Sequence, residues 1–421
     1  MNKKHLMLVV LAVTMSGCQE QASNYCEDAP FHNCQDLIDA PIDAPTSCSS
    51  NASCTAPLGV CDVTGSKTCV ECTATDSAAC VGVEPVCGVD QACRACTAHS
   101  ECTSDVCLPD GSCAAEGDVA YVNGSAGTGS ACTKAAPCKT VTAAVATPKT
   151  VIKVTGPVND RVTIGRAVKI FAAPNAELSS TGNGTLLTTT GTAIVEVYDL
   201  TIANASGVNV GYGVQVGANT TFAMTRGKIT GCREAGLTAS GGTVTVTGAT
   251  VSGNTGGGLS ITNSNFKLVN NFIVENGNAA AGGSLFGGVT VGSTATDNVF
   301  EQNTVAFNHS LLGNPGATCS AVASFHGKRN IITSNNLGLT FPAAQSSGCA
   351  DIESYTAAGT DANDLKFAAI SPAPLNFHLT AASPATVKDV PGLTTCPGVD
   401  IDGNARPVNT FCDLGADEYK P

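Results

Sequence analysis

Val246-Thr247-Gly248-Ala249-Thr250-Val251 is followed, 22 residues on, by Leu268-Val269-Asn270-Asn271-Phe272-Ile273. The same phrase stands upstream as Val197-Tyr198-Asp199-Leu200-Thr201-Ile202 and Met224-Thr225-Arg226-Gly227-Lys228-Ile229. Downstream it returns as Val299 through Val305, with a degenerate copy that reaches Ile332. The closing residues Ile202, Ile229, Val251, Ile273, Val305 and Ile332 are separated by steps of 27, 22, 22, 32 and 27. A near-constant step with additions at one place describes stacked β coils with loops of variable length. Three residues after each of these anchors stand Ala205, Cys232, Asn254, Asn276, Asn308 and Asn335. A column of asparagines at a turn predicts a ladder of amide hydrogen bonds running from coil to coil. Cys232 shares that column, so it is expected to point inward as a small apolar side chain, a free buried thiol.

A single coil cannot bury its own apolar face. Neighbours stacked ~4.8 Å away supply both the hydrogen bonds and the core. Alternating Val, Ile and Leu suits a parallel sheet wound around an apolar interior, where β-branched side chains stack on themselves. An antiparallel β-sandwich accounts for neither the period nor the asparagine column. The expected fold class is therefore all-β: a right-handed parallel β-helix, preceded by a disulfide-rich, largely irregular stalk.

Composition marks off that stalk. The net charge of −13 is uneven: residues 19–118 hold sixteen Asp or Glu against Lys67 and Arg94, whereas residues 119–421 are nearly neutral. A charged, apolar-poor segment self-repels and extends. Asp28-Ala29-Pro30 and the run Ile38 through Pro45 read as an acidic Asp/Ala/Pro linker. Neither part is basic, which removes the electrostatic footprint of nucleic-acid binding.

The 22 cysteines point to an oxidising compartment. Between Cys26 and Cys113 the spacing suggests a small disulfide module repeated about twice, with connectivity that spacing does not reveal. Zinc at the Cys-x-x-Cys pairs is the competing reading, weakened by the lack of histidines at ligand spacing. In the body, Cys132 and Cys138, Cys319 and Cys349, and Cys396 and Cys412 are the expected pairs, leaving Cys232 over.

Met1-Asn2-Lys3-Lys4-His5 precedes an apolar run from Leu6 to Met15. A positive start, about ten apolar residues and small residues before a cut site make a secretory signal, too short for a permanent membrane span of ~20 residues. Met15-Ser16-Gly17-Cys18 resembles the bacterial lipobox, which implies acylation of Cys18. Gln19 after that cysteine is similar to the pattern in Gram-negative lipoproteins addressed to the outer membrane. The resulting division is a signal peptide at 1–17, the linker at 18–47, a Cys-rich module at 48–118, the β-helix at 119–395 and a closing segment at 396–421.

Ala120-Tyr121-Val122-Asn123-Gly124, Ala135 through Val145 and Ile152-Lys153-Val154-Thr155-Gly156 resemble the opening of pectate-lyase-like β-helix domains. That resemblance implies a short helix over the open first coil, with Ala143, Ala144 and Val145 against the strand edge. Asp400 through Pro407 and Cys412 through Tyr419 are similar to the closing segment of bacterial surface β-helix proteins. Taken whole, the chain resembles bacterial surface lipoproteins that carry a Cys-rich stalk and a pectate-lyase-like β-helix.

Such folds include polysaccharide lyases and glycoside hydrolases, whose hydrolytic members need two carboxylates at a set separation. From residue 195 to 340 the acids are Glu196, Asp199, Glu234, Glu275, Asp297 and Glu301, and no two share a column. Phe325-His326-Gly327-Lys328 is the nearest approach to a histidine signature, and His309, His326 and His378 read as scattered loop residues. Asp199 and Arg226 share the column three before the anchors, with Arg329 at its far end, and are expected to pair. Asp400, Asp402, Asp413 and Asp417 are weak candidates for calcium, with Arg406 an equally good partner. No Trp and six Tyr limit the aromatic surface for sugars. The expectation is a monomeric, exported, lipid-anchored module without cofactor, touching extracellular polysaccharide or other cells and no nucleic acid. The alternative is a β-helix lyase or hydrolase.

Overall fold

The computed structural model describes residues 47–203, 211–278, 284–293, 297–311, 315–320, 325–336, 345–349, 351–357, 362–370 and 375–421. Cys18, the linker and Ala205 lie outside these residues. Contacts divide the chain into two compact units, Met1–Ala95 and Cys96–Pro421.

The first unit is built from disulfides. Cys48–Cys61 and Cys54–Cys69 cross one another, as do Cys72–Cys87 and Cys80–Cys93. In each module the third and fourth cysteines face one another on a two-residue antiparallel hairpin, Cys61 opposite Cys69 and Cys87 opposite Cys93. The second unit opens with the same plan, Cys96–Cys107 and Cys102–Cys113, with Cys107 opposite Cys113. Among the described residues the module therefore occurs three times, not about twice, and its first cysteines, Cys48, Cys72 and Cys96, stand 24 residues apart. The Cys-x-x-Cys pairs explain the miscount. Cys69/Cys72 and Cys93/Cys96 join the end of one module to the start of the next, so treating them as internal shifts the frame.

The third module is docked on the first coils of the body. Val106, Ala114 and Val119 pack with Tyr121, Val151 and Phe171. The Tyr121 hydroxyl donates to the Ser104 carbonyl at 2.9 Å, and Lys134 Nζ lies 2.7 Å from Asp105.

The body is a parallel β-helix of three sheets with 10, 9 and 8 strands, here called A, B and C. One coil reads Thr243–Thr247 in sheet A, Thr250–Ser252 in sheet B and Leu259–Thr262 in sheet C. Each strand pairs in parallel with its counterparts one coil before and after. The anchors named from sequence are in register on sheet B, Ile202 beside Ile229, then Val251, Ile273, Val305 and Ile332. All six are fully buried, and with Val197, Met224, Val246 and Leu268 of sheet A they belong to one continuous core. Period-two alternation places these residues inward and leaves Thr243, Thr245 and Thr247 outward.

The start is closed by the helix Val141–Val145, capped by Thr140, which accepts from the Ala143 amide. Val141 and Ala144 are fully buried, and Ala143 and Val145 pack at the margin of the core. Cys132–Cys138 is bonded beneath them.

Corners repeat as regularly as strands. Asp199, Arg226, Gly248, Asn270, Gln302, Arg329 and Glu353, each three residues before a sheet B column position, all have φ between 53° and 62°. A left-handed residue between sheets A and B turns the chain at every coil, although most of these residues carry a Cβ.

Ladders lock the next positions. Asn254 donates from Nδ2 to Asn276 Oδ1 at 2.9 Å, Asn276 to Asn308 at 3.0 Å and Asn308 to Asn335 at 2.9 Å. Each oxygen also accepts the backbone amide of the preceding asparagine. Gln345 Oε1 ends the ladder on Asn335, and the Cys232 amide begins it on Asn254 Oδ1. Gly288 beside this ladder has no room for a side chain, because a Cβ would stand 2.7 Å from Gly316 O and 2.9 Å from Asn308 Nδ2. A second ladder, Asn271 to Asn303 to Asn330, runs two residues before the anchors at 2.9 and 3.1 Å. It was not among the expected columns, though Asn271, Asn303 and Asn330 keep a constant offset from Ile273, Val305 and Ile332. The nine disulfides of the described residues include Cys319–Cys349 and Cys396–Cys412, and Cys232 is free and buried.

After Tyr355–Ala357, the last strand of sheet B, a short helix Ala362–Leu365 leads into a returning segment. It lies over the outer face of sheet B. Phe272, Val274, Ala306 and Ile331 pack there with Leu365, Phe367, Phe377, Leu379, Val387, Leu393 and Leu414 as a second core. Corner side chains tie it down, Gln302 Nε2 donating to Asp413 O at 2.9 Å and Asn270 Nδ2 to Val399 O. No described helix is long and apolar enough to cross a membrane.

Candidate binding groove

Sheet C presents its outward residues to a groove of about 600 Å³. Its floor is a column in strand register, Thr238 beside Ser260, Thr290 and Thr318. Hydroxyls one coil apart repeat every ~4.8 Å along the helix axis, each able to donate and accept. Tyr212, Arg233, Glu234, Leu285 and Phe286 are among the other lining residues. Leu285 is 66% exposed. The Phe286 ring lies across Gly257, where a Cβ would come within 2.5 Å of two ring carbons, so a glycine is required for the ring to lie there. Thr318 Oγ1 is buried with no hydrogen-bond partner among the described residues. The arrangement can grip an extended, hydroxyl-rich chain by hydrogen bonds from the floor and ring faces from the wall.

The acids counted from sequence are mostly committed elsewhere. Glu196 meets Lys169 at 3.1 Å and accepts from the Tyr198 hydroxyl at 2.6 Å. Asp199 receives Arg226 through two bonds, Nε to Oδ1 at 2.8 Å and Nη2 to Oδ2 at 2.9 Å. Arg329 of the same column sits between Glu301 at 3.2 Å and Glu353 at 3.0 Å. Glu234 lines the groove. His309 is half-buried, and burial holds its pKa below the ordinary histidine value. His326 falls on the strand Phe325–Lys328.

Asp400, Asp402, Asp413 and Asp417 do not converge on one point. Asp400 caps its own turn, accepting the amides of Asp402 and Asn404 at 2.9 and 2.8 Å. Asp413 turns inward and accepts the Asp389 and Tyr419 amides. Arg406, with its side chain fully buried, lies 3.8 Å from Glu418 and donates to Gly415 O at 3.0 Å. Burial pushes both Asp413 and Asp417 up to about 6. Asp402 and Asp417 instead come together with His378, read from sequence as a scattered loop residue. Nothing in the spacing of residues 378, 402 and 417 announces this meeting, because folding of the returning segment creates it.

The sequence matches no family model and no curated protein. Among solved structures, the crystal structure of pectate lyase Pel9A is similar at 15% identity, with 72% of this chain and 96% of that chain covered and a TM-score of 0.39.

Proposed function

We propose that this chain is an exported lipoprotein of the cell surface whose β-helix binds a polysaccharide along the outer face of sheet C without cleaving it. The observation that carries this reading is the groove, where a register of hydroxyls from Thr238 to Thr290 runs beside the Tyr212 and Phe286 rings. Long, shallow, repetitive surfaces favour many weak contacts to a repeating partner over enclosure of one small molecule. Attachment rests on the lipobox-like Met15 to Cys18, display on the acidic linker and disulfide modules behind it, and an outer-membrane address on Gln19.

The test is to incubate the purified chain with acidic and neutral polysaccharides, with and without calcium. Saturable binding, weakened about tenfold or more by Tyr212→Ala or Phe286→Ala, supports the reading. Release of unsaturated products or of new reducing ends shows the chain to be a lyase or hydrolase and sinks the non-cleaving part. Attachment is tested separately, since Cys18→Ser should move the protein out of the membrane fraction.

A further inference from the structure

We infer that His378, Asp402 and Asp417 form a binding site for a first-row divalent transition ion, of which Zn²⁺ is the probe. One ligating atom from each lies within 4.8 Å of the other two.

The orientation of His378 makes the case. Asn376 Oδ1 accepts the His378 backbone amide at 3.0 Å, so an oxygen, not the amide nitrogen, occupies that position. The same oxygen contacts His378 Nδ1. An amide oxygen only accepts, so Nδ1 carries the ring proton. Nε2 is the nitrogen left to meet Asp402 Oδ2, an acceptor 3.0 Å away. A contact of that length needs a cation between the two atoms, a proton or a metal ion. Around an ion with bonds of about 2.1 Å, neighbouring ligand atoms sit roughly 3 to 3.4 Å apart, and the His378–Asp402 pair has that spacing.

The rest of the site agrees. Metal-bound histidines hand their second ring nitrogen to an oxygen that fixes the tautomer, the part Asn376 takes here. Phe272 meets the His378 ring edge-on with centroids 5.1 Å apart, holding its plane. Asp417 is buried and anchored by the Leu379 amide at 2.6 Å, while His378 and Asp402 are open to solvent at 33% and 51% side-chain exposure. An ion can therefore enter from outside and meet a rigid inner ligand. A cleft of about 270 Å³ beside His378 and Asp402, lined also by Asp199 and Arg226, leaves room for water to complete the shell. One imidazole and two carboxylates suit a borderline ion, whereas calcium takes six to eight oxygens. Such an ion would cross-link three stretches of the returning segment, near residues 378, 402 and 417.

The test uses the full chain, stripped with chelator and titrated with Zn²⁺ by calorimetry, with melting followed in parallel. One saturable site and a raised melting temperature are expected. His378→Ala, at a half-buried position, and Asp402→Asn, at an exposed one, should each weaken that site at least tenfold while the β signal in circular dichroism is unchanged. The inference is overturned by the lack of a saturable site, by stoichiometric binding that survives both variants, or by equal binding of Ca²⁺. It is also overturned if ring ¹⁵N shifts show His378 protonated on both nitrogens and unmoved by Zn²⁺, since a proton would then be the bridging cation.

Discussion

The chain repeats itself twice over, and the two repeats are almost the same length. The disulfide module recurs every 24 residues and the shortest β coil every 22, yet they hold together by opposite means. A module has hairpin strands of two residues and little apolar side chain to bury, so two crossed disulfides replace a core. A coil contributes inward Val, Ile and Leu to a core shared with its neighbours, and among the described coils a disulfide joins one to the next only at Cys319–Cys349. In the first case the gain is a fold held within each module by its own bridges. In the second the gain is length, since stability accumulates with every coil added.

Reduction should break the comparison open. Removing native disulfides from a small domain costs about 2–5 kcal/mol each and often abolishes folding. Residues 48–93 are expected to lose amide protection under reductant while the parallel sheets keep theirs. Hydrogen exchange read by mass spectrometry separates the two, and simultaneous loss from both would show that the coils too depend on their bridges.

Within the β-helix, the sharpest local blow should fall on a ladder. Asn276→Ala leaves the Asn254 amide without its acceptor, takes from the Asn254 side chain one of its two acceptors, the other being Ile229 O, and removes a donor from Val251 O, all of them buried. Unsatisfied buried groups cost ~1–3 kcal/mol each, so a loss of about 3 kcal/mol or more is expected in denaturant titration. Thr245→Ala, on the outward side of the strand beside it, should cost less than about 0.5 kcal/mol. Equal losses would mean that the ladder adds nothing beyond the strands.

The returning segment should respond to pH with the sign set by burial. Asp413 is pushed up to about 6, so between roughly pH 4 and pH 6 its folded form keeps a proton that the unfolded chain has lost. Stability of this segment should therefore fall as pH rises across that window and level off above it, by up to about 2–3 kcal/mol. Melting measured from pH 4 to 7 checks this, and Asp413→Asn should reduce the slope to the part that Asp417, also pushed up to about 6, contributes.

The smallest effect belongs to Cys232. Burial pushes its thiol up to about 12, leaving almost no thiolate at neutral pH. Alkylating reagents should label it only after denaturation, and Cys232→Ala should change stability by about 1–2 kcal/mol at most. Rapid labelling of the folded protein would place the thiol outside the core.

What the sequence alone determined here is what repeats. The six anchors, the Asn254 to Asn335 column and the Asp199–Arg226 pair lie in register because parallel stacking copies a linear offset directly into space. The second ladder at Asn271, Asn303 and Asn330 is legible by the same rule, but it is easily passed over because the first members of its column, Leu200, Gly227 and Ala249, are not asparagines. Tertiary structure alone decided what does not repeat. Val106 and Ala114 seat the third disulfide module beside Phe171, Phe377 and Leu414 cover sheet B, and His378 reaches Asp402 and Asp417 across tens of residues. Those contacts join faces of separate elements, and no fixed spacing encodes them: their partners are chosen by which apolar surface each element leaves uncovered once the coils have stacked.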